Sequence, residues 1–199
     1  MATPYGDMQL VEVEPLFFRQ VDGQFHFLFR EDSQGHITYL FTDMIPQFGF
    51  EKVQWYETVG FNMPLLLGSL LLFFSMLLVA LIRALWNRRL SSDETSAARG
   101  ARVAYRLMIG ISILNLLFVI GTFLWGQQVA FGIPLAYKVV MGLSVLSAIL
   151  TVGALVYAML AWKNSYWSIA FRSYYTLVTI AAVAFVWFLN QWNLLGWRY

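Results

Sequence analysis

The chain contains no cysteine, which excludes disulfides and thiol chemistry while leaving the compartment open. Charge is also scarce: 12% of residues are Asp, Glu, Lys or Arg, against 59% hydrophobic, an excess that points to a polytopic membrane protein. Between Phe61 and Ile82 there is no charge at all. The later apolar runs likewise hold no Asp, Glu, Lys, Arg or His in their central turns. Proton- or ion-coupled transport needs such a group at membrane depth, so a small four-helix exporter is disfavoured. Catalytic patterns are missing too: no G-x-S-x-G, no phosphate-binding loop, no H-E-x-x-H and no glycine-rich dinucleotide turn. The expectation is a chain that is not itself an enzyme and that holds no cofactor and no metal.

What is present is organised around 48–86, which joins a polar, aromatic lead-in to the charge-free run. At a helical rise of about 1.5 Å per residue that run covers about 33 Å, enough for a hydrocarbon core. Four spans are predicted, Phe61–Trp86, Leu107–Trp125, Ala136–Trp162 and Tyr174–Trp192. Trp86, Trp125, Tyr137, Trp162, Trp167, Tyr174, Tyr175, Trp192 and Trp197 stand near their ends, as aromatic belts do. Arg83, Arg88, Arg89, Arg99, Arg102 and Arg106 flank the first connection, and Lys163 and Arg172 the third. The second connection holds only Lys138, and the tail only Arg198. The positive-inside rule then makes the first and third loops cytoplasmic and leaves both termini outside. The six arginines read as a topology signal and a contact for anionic lipid. Because these basic residues lie between apolar spans, nucleic-acid binding is not expected.

Residues before Phe61 behave differently. They carry most of the acid, including Asp7, Glu12, Glu14, Asp22, Glu31, Asp32, Asp43, Glu51 and Glu57. Apolar residues alternate with polar ones from Met8 to Asp43: Val11 and Val13, then Phe25, Phe27 and Phe29, then Ile37, Tyr39 and Phe41. Asp22-Gly23 signals a hairpin whose glycine accepts positive φ, and 31–35 a longer turn. About four short antiparallel strands in a meander are expected over 1–44. An aromatic, charged junction over 45–60 would follow, then a four-helix transmembrane domain over 61–199. So small a sheet cannot seal its own core. Phe17, Phe18, Phe25, Phe27, Phe29 and Phe41 require a partner face, from a larger domain, a second chain or the membrane surface. The N-terminal stretch MATPYGDMQLVEVE shows no secretory signal, although the topology exports it. A signal and a domain upstream of Met1 would explain that export.

Polar side chains within the spans, namely Ser112, Asn115, Thr122, Ser144, Ser147, Thr151, Thr179 and Asn190, are expected to hydrogen-bond between helices. Gly110, Gly121, Gly142, Gly153, Ala154 and Ala158 are expected to permit close packing. His26 and His36 lie on the polar side of their strands and read as solvated side chains rather than metal ligands. Ser91-Ser92-Asp93-Glu94 has the form of a capping start for a helix leading into the second span.

Phe29-Arg30-Glu31-Asp32-Ser33-Gln34-Gly35-His36-Ile37-Thr38-Tyr39-Leu40-Phe41, followed by Phe50-Glu51-Lys52-Val53-Gln54-Trp55-Tyr56-Glu57-Thr58, resembles the C-terminal region of membrane-bound bacterial serine hydrolases. These are the β-lactamase-related, CubicO-like proteins, similar to class C β-lactamases and penicillin-binding proteins. The resemblance follows the order sheet, junction, helices, with Phe50, Glu51, Lys52, Trp55, Tyr56 and Glu57 as the junction motif. Such hydrolases use Ser-x-x-Lys, Tyr-x-Asn and Lys/His-x-Gly elements, and none occurs here. The resemblance therefore implies a non-catalytic anchor in the bacterial cytoplasmic membrane, with a serine hydrolase domain as its partner. The other reading is a stand-alone membrane protein that binds an envelope partner through its external β region.

Overall fold

The structure is a computed structural model and describes residues 2–3, 6–86 and 96–197. Arg88, Arg89, the 91–94 capping segment and Arg198 lie outside the described residues. The chain divides into two compact units, Met1–Thr58 and Val59–Tyr199.

In the first unit, β1 (Ala2–Thr3) and β2 (Gly6–Asp7) form a two-residue antiparallel ladder. A five-stranded antiparallel meander follows, with β3 (Leu10–Glu14), β4 (Phe17–Gln20), β5 (His26–Glu31), β6 (Ile37–Thr42) and β7 (Gly49–Glu51) adjacent in that order. Four strands were expected; the fifth comes from the segment read as junction. There Phe50 pairs with Leu40, and the Lys52 N–H donates to the Thr38 carbonyl at 2.8 Å.

The Asp22-Gly23 turn connects β4 to β5, but Gly23 does not take positive φ. The Gln20 side-chain amide lies against Gly23 and would have to swing aside for a Cβ. Positive φ falls instead on Gly35 (80°), in the β5–β6 turn, and on Leu16 (64°), between β3 and β4. The strained Leu16 is held from both sides: its N–H donates to Glu12 Oε1 at 3.1 Å and its carbonyl accepts from Phe29 N–H at 2.8 Å.

The register also corrects the expected single apolar face. Phe27 pairs with Phe18 and Thr42, and Leu40 with Phe29 and Phe50, which puts these side chains on one face. Phe41 pairs with Leu28, and Tyr39 with Arg30, so Tyr39 and Phe41 lie on the opposite face together with Phe17 and Leu28. Apolar side chains thus stand on both faces. Among the described residues of this unit only Phe27, at 4% exposure, is buried.

The second unit holds α1 (Val59–Trp86), α2 (Ser96–Trp125), α3 (Leu135–Lys163) and α4 (Ile169–Gln191), four helices long and apolar enough to cross a membrane. They pack antiparallel in a ring in which each helix touches its sequence neighbours, and α1 closes on α4. Helix α2 begins eleven residues before the expected Leu107, so the arginine-bearing segment and the span form one continuous helix.

Buried positions on α3 run Tyr137, Val140, Met141, Ser144, Ser147, Thr151, Ala154, Ala158 and Ala161, the three-and-four spacing of one helix face. Most are small, which lets α2 approach. A Cβ on Gly121 would reach 2.5 Å from Val140, and one on Gly153 3.3 Å from Leu107. Gly110, by contrast, faces open space. Ser147 Oγ donates to Asn115 Oδ1 across this seam at 2.6 Å, as expected for the polar set. Thr151 and Thr179 instead bond the carbonyls one turn back, Ser147 and Tyr175, at 2.8 Å each.

Opposite the seam, aromatic rings fill the core: Phe185 meets Phe73 at 5.6 Å and Phe118 at 6.4 Å, both edge to face. Tyr137 and Tyr175, expected at the ends as belt residues, are buried among the helices, whereas Trp162, Trp192 and Trp197 are exposed. Leu71, Phe74 and Phe123 point outward from the ring. Truncating Phe185 to Ala should cost roughly 3–5 kcal/mol of unfolding free energy in micelles. Leu71→Ala, at a position 68% exposed, should change it by less than about 0.5 kcal/mol.

Candidate functional site

Helix ends near the 87–95 and 164–168 connections gather most of the arginines read from the sequence. Arg83 lies in the last turn of α1, and Arg102 and Arg106, four residues apart, share a face of α2. The three line a groove of about 660 Å³ between α1 and α2, with Ala80, Ala84, Ala101 and Tyr105. Arg99 does not line it. Helix α4 and the turn before it supply a floor that sequence reasoning missed. The Arg83 guanidinium lies 4.0 Å from the Phe171 ring and 5.3 Å from that of Tyr105. Trp167 packs on Phe171 at 5.1 Å and on Tyr175 at 5.3 Å. The signal was present in the run Tyr166-Trp167…Phe171-Arg172…Tyr174-Tyr175, whose aromatics recur at helical spacing. Arg172 itself lies over the Trp162 ring and donates to Ser165 Oγ at 3.3 Å.

The junction motif separates into two local structures. Phe50 and Glu51 belong to β7, while Trp55, Tyr56 and Glu57 form a single 3₁₀ turn. Glu57 accepts the Gln54 N–H at 2.8 Å, so this carboxylate caps the turn. Trp55 and Tyr56 meet edge to face at 5.7 Å.

On the sheet, Phe41 divides two shallow grooves. One is lined by Phe17, His26, Leu28, Asp43 and Pro46, the other by Arg30, Asp32, Tyr39 and Glu51. The Phe41 ring lies over Gly49, where a Cβ would come within 2.9 Å. His26 stacks on Phe17 at 5.4 Å. Its Nδ1 is 2.7 Å from Asp43 Oδ2, and its backbone N–H donates to Asp43 Oδ1 at 2.8 Å. His36 Nδ1 stands 3.7 Å from Asp32 Oδ2. Each histidine is thus paired with one carboxylate. Among the described residues, no group of three His, Cys, Asp or Glu side chains is placed to hold a metal.

Compared with known proteins, the chain matches no family model, no curated protein and no solved structure.

The two aspartates provide a pH signature. Asp32 accepts the backbone N–H groups of His36 and Gln34, and these bonds hold its carboxyl below the usual range. Asp43 is lowered first by the His26 backbone N–H and then by the imidazole. A carboxyl whose folded pKa is depressed stabilises the fold above its unfolded pKa, near pH 4, and loses that contribution as pH falls through the folded value. The sheet should therefore weaken below about pH 4. In Asp32→Asn/Asp43→Asn that slope should flatten, as read from proteolysis of the N-terminal unit across the pH series.

Proposed function

We propose that this chain is a non-catalytic membrane module. Its four helices anchor it in the bacterial cytoplasmic membrane with both termini outside and the arginine-rich end cytoplasmic. Its sheet engages an exported protein domain. The observation that carries this reading is the sheet's two-sided apolar surface. Leu28, Tyr39, Phe41 and Phe50 are all exposed, while among the described residues of this unit Phe27 alone is buried. A sheet that covers so little of its own apolar surface gains stability from a partner face. The N-out orientation, inferred from the basic residues that flank the first and third connections, exposes that face to exported proteins.

A serine hydrolase domain of the β-lactamase-related kind is the partner that the 29–41 and 50–58 stretches imply, and that identity rests on the resemblance alone. One observation favours the second reading, a stand-alone protein with an unrelated envelope partner. The meander draws all five of its strands, β7 included, from this chain in sequence order.

Photo-crosslinking from Phe41, replaced by benzoylphenylalanine in native membranes, separates these readings. A discrete protein adduct that reacts with a fluorophosphonate or penicillin probe is the expected result. An adduct to a protein that ignores both probes would transfer the assignment to the stand-alone reading. Adducts to lipid alone, from both Phe41 and Leu28, would remove the partner-binding reading.

A further inference from the structure

We propose that the middle of the bundle is a binding site for a buried water, held between Ser112 Oγ and the Asn115 side-chain amide. The inference rests on the geometry of the bundle alone and is independent of the partner proposed for the sheet.

Four observations converge. First, Ser112 and Asn115 are both 0% exposed, and neither Ser112 Oγ nor Asn115 Nδ2 has a hydrogen-bond partner among the described residues. Unmet buried polar groups are costly. Asn115 Oδ1 is already taken by Ser147. Turning the amide over would exchange its unmet N–H groups for an unmet oxygen, so it calls for a second partner in either orientation.

Second, the two residues stand three apart on α2 and are neighbours on its surface, with β-carbons about 5–6 Å apart. One water reaches polar groups at that separation, because each of its hydrogen bonds spans about 2.8 Å.

Third, small side chains gather at this level. Helices α2 and α4 run parallel in the ring, where Phe118 meets Phe185. One turn earlier on each stand Asn115 and the pair Ala181–Ala182. Ser69 of α1 reaches the Ala181 carbonyl at 3.5 Å, and Ser147 of α3 reaches Asn115 at 2.6 Å. All four helices therefore meet here through buried Ser, Asn or Ala side chains. Side chains this small fill less of the space between four helices than the phenylalanines one turn on.

Fourth, the chemistry of the layer selects the guest. The central turns of the spans carry no Asp, Glu, Lys, Arg or His, so an ion would lie there uncompensated. Water is neutral, accepts from the Asn115 N–H, and can donate to or accept from the Ser112 hydroxyl. Ser147 Oγ, whose proton goes to Asn115, keeps lone pairs for the third bond that buried waters commonly make.

The test uses the full chain, ¹⁵N-labelled at asparagine, in lipid nanodiscs. NMR should show a cross-peak between water and the Asn115 side-chain amide, assigned as the signal lost in Asn115→Gln. Ser112→Ala should lose most of that cross-peak and lower the Tm by about 2–4 °C, as for one missing hydrogen-bond partner. The sign is the decisive part. Alanine is the better helix former and removes an unmet hydroxyl, so in a dry core the same substitution raises the Tm. A wild-type chain without the cross-peak would overturn the proposal, and that reading requires no variant. So would a Tm unchanged or raised in Ser112→Ala, or a cross-peak that this variant leaves intact.

Discussion

Close approach of α2 and α3 sets the geometry of the bundle. Small residues on α3, from Ser144 to Ala161, together with Gly121 on α2, bring the two backbones near enough for Ser147 to reach Asn115. In an apolar medium, which gives no hydrophobic drive between helices, such packing and such hydrogen bonds would be what hold them. With one seam drawn tight, the opposite side of the ring must be filled by bulk. Phe73, Phe118 and Phe185 supply it in edge-to-face contact. The arginine groove lies between another adjacent pair, α1 and α2, where alanines on both helices leave space above the rings of Tyr105 and Trp167.

The two units present different surfaces. Helices satisfy their own backbone groups and leave Leu71, Phe74 and Phe123 outward, a surface that suits lipid and not water. The sheet's edges and turns are polar, with Asp32 and Asp43 capping backbone N–H groups, yet it carries phenylalanines on both faces. Its hydrogen bonding is well supplied and its apolar burial is not. That imbalance is the physical reason for proposing a partner for the sheet and an anchoring role for the bundle.

Helix number and class were legible because a charge-free run leaves little choice of structure: Phe61–Ile82 could be read from composition alone. Strand existence was legible from alternation, but sidedness was not. Period two assigns faces within a strand, and only the register decides how faces match between strands; the Phe41–Leu28 pairing therefore put Tyr39 and Phe41 opposite Phe27. The glycine rule failed at Gly23, where the turn forms without positive φ. Tyr137 and Tyr175 sat at the sequence ends of spans and were read as interface residues, but helix rotation turned them into the core. At the candidate site the arginines were visible, whereas their cradle was not. Phe171 and Trp167 are distant in sequence from Arg83, and only tertiary packing brings them beneath it.

The central proposal, that the bundle is stable by itself whereas the sheet takes a partner, is tested most directly by native-state hydrogen exchange on the purified chain in nanodiscs. Amides of β3–β7 should open with free energies several kcal/mol below those of α2 and α3, and should gain protection when a native-membrane extract is added. Sheet amides as well protected as the bundle in the purified chain, and unchanged by the extract, would contradict the account.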